Sequence, residues 1–262
     1  MLVQRVLSAI ILLPIVLAAA YLGGPPFALL ATVAALISGS EFYHIMRRAN
    51  YQPAYFPGLA LITLAMWDAY QPGMGVMRWA LPAVVMAMLM WYVVQRDMAG
   101  SLVNWALTLS GALYTGVLAG HLISVRNLPN GLGWLLLTLL GTWTCDTAAF
   151  FVGNYWGRRG FFTEISPKKT IEGAVGGCLA GLMVTSALGW YLGLTPWQAF
   201  TLAGLLVLGV TFGDLAESLI KRQVGAKDSG DLIPGHGGML DRVDSLLFAA
   251  PIVYHFLTWF VF

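Results

Sequence analysis

Long apolar stretches separated by brief polar or Gly/Pro breaks dominate this chain, and their spacing sets the first expectation. A helix needs about 20 apolar residues to cross the hydrocarbon core of a bilayer. Divided at its Gly/Pro and charged breaks, the sequence predicts an all-α, polytopic bundle of about nine transmembrane helices. They fall near residues 6–22, 27–46, 55–71, 76–95, 102–122, 134–153, 172–192, 197–220 and 243–262. The third is the least regular, with Asp68 inside it and Pro57 near its start. Gly23-Gly24-Pro25-Pro26 and Gln71-Pro72-Gly73 read as tight hairpins. The apolar run from Val6, behind Arg5, has the look of a secretory leader but is read as the first membrane helix.

The remaining breaks are basic: Arg47-Arg48, Arg96, Arg158-Arg159 with Lys168-Lys169, and Lys221-Arg222. Cytoplasmic loops carry the Lys/Arg excess of membrane proteins. Alternating the spans from a cytoplasmic amino terminus leaves only Arg78 and Arg126 outside, and puts the carboxy terminus on the external face. Trp67, Trp79, Trp134, Trp190 and Trp197 lie near predicted helix ends and read as interfacial anchors.

Composition agrees. Of 262 residues, 58% are hydrophobic and 10% charged, against roughly 25% charged in a soluble domain, and the mean hydropathy is +0.75. A net charge of +2 gives no reason to expect nucleic acid as a partner. Cys145 and Cys178 lie in apolar stretches and read as packing residues. With no repeat and no low-complexity linker, residues 1–262 read as a single membrane domain. Its helices in 1–140 carry no recognised motif, whereas 141–262 hold most of the charged side chains and the expected catalytic helices and loops.

Chemistry concentrates between Asp214 and Asp244. Asp214, Glu217, Ser218, Lys221 and Arg222 recur at helical spacing along one face. A polar loop with Lys227, Asp228, Asp231 and Pro234-Gly235-His236-Gly237-Gly238 follows, and the chain re-enters the apolar phase with Asp241, Arg242 and Asp244. Asp241 and Asp244 lie three apart, so a helix there turns both carboxylates the same way. Paired acids at membrane depth call for a cation between them. Mg²⁺ suits oxygen ligands together with substrate phosphates. Lys221, Arg222, Lys227 and Arg242 are placed to neutralise a polyphosphate. The glycines at 235, 237 and 238 allow backbone N–H groups close to phosphate oxygens. A solvated loop of ordinary ion pairs is the competing account of Lys227, Asp228 and Asp231.

Asp146, inside the sixth span, is a lone acid in an apolar helix and therefore a candidate functional group. Ser166-Pro167-Lys168-Lys169-Thr170 opens the seventh span, in which Gly173, Gly177 and Gly181 repeat every four residues, a stripe for close helix packing. There is no G-x-x-x-x-G-K-[ST] loop, no H-E-x-x-H and no G-x-S-x-G elbow.

The run Ser218-Leu219-Ile220-Lys221-Arg222, Lys227-Asp228 and Pro234-Gly235-His236-Gly237-Gly238-Met239-Leu240-Asp241-Arg242-Val243-Asp244 resembles the signature of phosphatidate cytidylyltransferases, the CDP-diacylglycerol synthases. Gly213-Asp214-Leu215-Ala216-Glu217-Ser218, Ser166–Gly173 and the stretch around Asp146 are also similar to that family, so the resemblance spans about 140–250.

It implies transfer of the cytidylyl group of CTP to phosphatidate, with Mg²⁺, one or two cations remaining open. It also implies that Asp214, Asp241 and Asp244 hold metal, with Ser218 and Asp146 as further oxygen ligands. Lys221, Arg222, Lys227 and Arg242 would bind the triphosphate or the lipid phosphate, helped by Lys168 and Lys169. The Gly235–Gly238 loop would cradle phosphate, His236 would orient a leaving or attacking oxygen, and Asp228 joins the catalytic set.

The expected partners are CTP, phosphatidate and the lipid bilayer, with a homo-oligomer left open. The expected location is a bacterial plasma membrane with the site facing cytoplasm. Two rivals remain: another membrane nucleotide or lipid phosphotransferase, and a cation-coupled transporter, which would place polar helices in both halves.

Overall fold

The computed structural model describes residues 2–96, 100–230 and 237–262, with side chains from residue 12 onward. Among them the regular elements are helices, and Gly160 and Thr170 form an isolated antiparallel bridge. The helices are α1 (Leu2–Leu22), α2 (Gly24–Arg48), α3 (Tyr55–Tyr70), α4 (Val76–Gln95), α5 (Ser101–Ala112), α6 (Leu118–Asn127), α7 (Gly131–Trp156), α8 (Ile171–Tyr191), α9 (Pro196–Gln223) and α10 (Leu240–Phe260). A π-turn, Leu113–Val117, joins α5 to α6 without a break.

Each expected apolar segment is occupied by a helix. Among the described residues, seven helices are long and apolar enough to cross a membrane, counting α5 to α6 as one. The chain is an integral membrane protein. At 16 residues α3 is shorter than a span of average length, and Asp68 near its end accepts the Met77 N–H at 3.2 Å, at the start of α4.

The contacts divide the chain into two compact units, residues 1–127 with 224–242, and residues 128–223 with 243–262. In the first, α2 and α3 pack on each other and on the α5–α6 rod. Tyr43 is fully buried and donates to the Thr108 carbonyl at 2.8 Å. Space for its ring comes from Gly58 and Gly111, where an added methyl group would lie 2.6 Å and 2.5 Å from ring carbons. Two buried polar side chains of α5 hold the connection after α2: Asn104 accepts the Gln52 N–H and Thr108 Oγ1 accepts the Ala54 N–H, each at 2.7 Å. Leaving those donors buried and unpaired costs about 1–3 kcal/mol each, so the turn that follows Arg48 is fixed.

In the second unit α8 packs against α7 and α9. The expected glycine stripe lies in the α7 contact. A methyl group on Gly173 would sit 2.7 Å from the Ala149 carbonyl, and one on Gly177 would sit 2.7 Å from the Cys145 carbonyl. On α9, Gly213 does the same for α10, with a would-be methyl 2.9 Å from the Asp244 carbonyl. Small residues let the backbones approach, and that approach carries polar side chains of different helices together.

One expectation needs correction. Trp134 is buried at 3% exposure, and its indole N–H donates to the Pro129 carbonyl at 3.0 Å, so it is a core residue and not an interfacial anchor. The other four named tryptophans are exposed. Tryptophan near a helix end carries both a large apolar face and one donor, which suit a buried corner as well as an interface.

Candidate active site

The acids of the second unit meet where α7, α9 and α10 run together. Asp214 of α9 is half-buried and paired with Lys169, whose ammonium stands 2.7 Å from Oδ2. Ser218, one turn on, places Oγ 3.4 Å from Asp214 Oδ1. Asp244, at the start of the second turn of α10, accepts the Ser245 N–H at 2.7 Å. Gly213 of α9 brings the two backbones close here, with a would-be methyl group 2.9 Å from the Asp244 carbonyl. Ser245 Oγ lies 3.5 Å from Asp146 Oδ1, at the outer limit of a hydrogen bond. Lys221 itself is paired with the buried Glu217 one turn back.

The loop that delivers Lys169 is pinned at several points. Phe161 donates to the Lys169 carbonyl and Ile171 to the Arg159 carbonyl, both at 2.9 Å. Glu172 accepts the N–H groups of Arg158 and Arg159 at 3.0 and 3.1 Å. Thr170 caps α8 by accepting the Gly173 N–H. Arg222, expected to bind phosphate, donates to the Ile165 carbonyl at 3.2 Å and so ties α9 to this loop. Lys168 is exposed. Of the two adjacent lysines, only Lys169 reaches the acids.

The first unit holds the rest of the expected site. Asp241 Oδ2 accepts the Gly238 N–H at 2.8 Å and the Ser229 N–H at 3.1 Å. Gly237 has φ +79°, and a methyl group there would meet that same oxygen at 2.8 Å. Of the glycines expected to cradle phosphate, Gly238 has its N–H donated to Asp241 and Gly237 packs against the same carboxylate. Asp241 and Asp244 lie three apart near the start of α10, as their spacing predicts, yet the contacts assign Asp241 to the first unit and Asp244 to the second.

Lys227 and Asp228 line a polar cleft of about 430 Å³ with Ile45, Arg48, Val224, Gly225, Ala226 and Gly230. Arg242 is exposed. His236 and Gly235 lie outside the described residues, as does Asp231.

Two residues that sequence reasoning passed over belong here. Arg48, taken only as a cytoplasmic-side marker, lines the cleft. Glu41, an acid within an apolar span, is buried and bonded to the start of α10. The rule that drew attention to Asp146 applied equally to Glu41.

Among the described residues, no three His, Cys, Asp or Glu side chains already converge as a cation site. The donor set nonetheless has the chemistry of one for a hard cation: carboxylate and hydroxyl oxygens of Asp214, Ser218, Asp244 and Asp146, with an ammonium group resting where a positive charge is needed.

Helices that cross a membrane, clustered acids and several bases at the ends of those helices define a class: a membrane enzyme for a strongly anionic substrate. The chain belongs to the cytidylyltransferase family, whose model matches residues 3–260. It is 30% identical to a phosphatidate cytidylyltransferase of Synechocystis sp., over 97% of this chain and 96% of that protein. It is 32% identical to one from Bacillus subtilis, over 98% of each, and 32% identical to one from Staphylococcus haemolyticus, over 95% of this chain and 96% of that protein.

Proposed function

We propose that this enzyme transfers the cytidylyl group of CTP to phosphatidate, giving CDP-diacylglycerol and pyrophosphate for phospholipid synthesis. The observation that carries the reading is the Lys169–Asp214 pair on α9, with Asp146 and Asp244 on the adjoining α7 and α10, an acid cluster with its own counter-charge. In the reaction a phosphate oxygen of the lipid attacks the α-phosphorus of CTP. The bond to the bridging oxygen breaks, and its electron pair leaves with pyrophosphate. Such transfers depend on positioning and charge neutralisation more than on covalent help from protein.

Asp214, Asp244 and Asp146 are the residues we assign to Mg²⁺, with Ser218 supplying a further oxygen and Asp241 retained as a ligand to be tested. Bound there, Mg²⁺ would neutralise phosphate charge. With Asp214 turned to the metal, the Lys169 ammonium would be available to a phosphate. Lys221 and Arg222 stand on the same helix end for the same purpose. In the first unit, Arg48 and Lys227 give the cleft a basic wall suited to phosphate, and Arg242 adds a further cation.

The proposed topology has nine spans, a cytoplasmic amino terminus and an external carboxy terminus. It rests on the basic breaks and on helices at each expected position. A bacterial plasma membrane fits the bacterial relatives. CTP then reaches the site from the cytoplasm and the lipid from the bilayer.

The test is transfer of label from radioactive CTP into extractable lipid by purified protein with phosphatidate and Mg²⁺. Label that needs all three supports the reading. Folded protein that transfers none sinks it.

A further inference from the structure

Glu41 lies in α2 at 8% exposure, in a segment otherwise apolar for most of its length. An acid in that position requires partners. Its Oε1 accepts the Met239 N–H at 2.9 Å, and Oε2 accepts the Leu240 N–H at 2.8 Å. Ser229 Oγ stands 3.1 Å from Glu41 Oε2 and 3.0 Å from Asp241 Oδ2, one hydroxyl proton serving two carboxylates. Glycines close the site. A methyl group on Gly230 would lie 2.8 Å from Oε1, and one on Gly238 would lie 2.5 Å from Oε2.

Leu240 is the first residue of α10 and Met239 directly precedes it. The N–H groups at a helix start have no partner within the helix, and the helix dipole there favours an anion. Glu41 supplies both from another helix. Asp241 completes the turn from within, through Gly238 and Ser229. The two carboxylates therefore hold one turn from opposite sides.

We propose that Glu41 is a positioning residue for the transfer reaction, a clamp from α2 that fixes the start of α10 and with it the aim of Asp241. The proposal rests on the reading of residues 218–244 as catalytic. It also accounts for glycine at 230 and 238, where any side chain would displace the clamp.

The test is Glu41→Gln in purified full-length protein in detergent. An amide turns an N–H donor towards N–H donors, so one bond is lost and one contact becomes repulsive. Four readouts are taken: kcat, KM for CTP, thermal unfolding, and amide hydrogen exchange of peptides covering 229–241. The expected result is a kcat lower by about tenfold or more, KM for CTP within about twofold, an unfolding temperature lower by no more than about 10 °C, and faster exchange confined to those peptides. Wild-type kcat together with wild-type exchange overturns the proposal. A fall in kcat with exchange raised throughout the chain also overturns it, because the role is then general stability.

If Glu41→Gln does not fold, Ser229→Ala serves in its place, removing the hydroxyl shared by the two carboxylates. Its expected effect is about threefold on kcat with local exchange raised, and no change in either sinks the clamp. Exchange does not depend on turnover. Wild-type protein that transfers no label therefore refutes the functional reading, while the exchange comparison still decides the clamp.

Discussion

Lys169 Nζ stands 2.7 Å from Asp214 Oδ2, so the loop before α8 supplies the counter-charge for an acid on α9. Neither partner is deeply buried, with side-chain exposures of 23% and 35%. Solvent screening keeps the worth of such a pair small, roughly 0–1 kcal/mol. Its interest is therefore chemical. A weakly held ammonium group on a carboxylate beside two other acids is a cation that can be exchanged for another.

Lys169→Ala is expected to lower the Mg²⁺ concentration for half-maximal transfer severalfold, since Asp214 loses its competing partner. KM for CTP should rise by about tenfold, since a phosphate loses a charged donor. Steady-state assays across Mg²⁺ and CTP concentrations measure both. A variant with both values unchanged places Lys169 outside the reaction. Lys168→Ala, exposed and away from Asp214, should change either value by less than about twofold.

Asp214→Asn and Asp244→Asn should each abolish more than about 99% of lipid labelling, because a hard cation loses an anionic ligand and several kcal/mol of charge stabilisation. Thermal unfolding in detergent controls for folding. Should either variant keep a tenth of wild-type activity at ordinary Mg²⁺, that carboxylate is not a ligand.

Asp241→Asn separates a ligand from an organiser of the loop. Asparagine presents one acceptor oxygen where the carboxylate presents two, so the Gly238 and Ser229 contacts weaken in either case. If Asp241 also holds metal, raising Mg²⁺ should restore part of the lost activity. A loss that no Mg²⁺ concentration reverses leaves it the loop-holding role alone.

Arg48→Ala should raise KM for CTP by about threefold to tenfold with kcat little changed, as expected for a phosphate contact on the wall of the cleft. An effect on kcat alone argues against that assignment.

Gly177→Val tests the packing that brings α7 and α8 together. A methyl group there would lie 2.7 Å from the Cys145 carbonyl and 2.8 Å from Ala149 Cβ. The expected cost is about 1–3 kcal/mol, read as a lower unfolding temperature in detergent. Valine accommodated without loss would mean the two helices have room to part.

Much of this molecule was legible along the chain. Apolar stretches of span length mark the helices, because in lipid a backbone must bond within its own segment. The glycine repeat at 173, 177 and 181 marks a close contact, and the acids at 146, 214 and 244 stand out because charge at membrane depth demands a reason. The polar spacing between 218 and 244 carried the family resemblance. These are properties of single segments, and a linear pattern records them.

What the tertiary structure decided was which segments meet. Glu41 and Met239 are 198 residues apart, and no periodicity in either stretch announces that one carboxylate caps the other's helix. Lys168 and Lys169 are equivalent in sequence until the turn at 166–170 points one of them at Asp214. Asp241 and Asp244 share a helix face by spacing, yet Asp241 accepts from Gly238 and Ser229, residues of the preceding loop. Trp134 lies near a predicted helix end like its exposed counterparts, yet it is buried, with its N–H satisfied by the Pro129 carbonyl. Helical spacing sets the direction in which a side chain points, but its partner is set by whichever surface packs there, and in a bundle of similar apolar helices that choice is made by a few small residues and hydrogen bonds distributed along the whole chain.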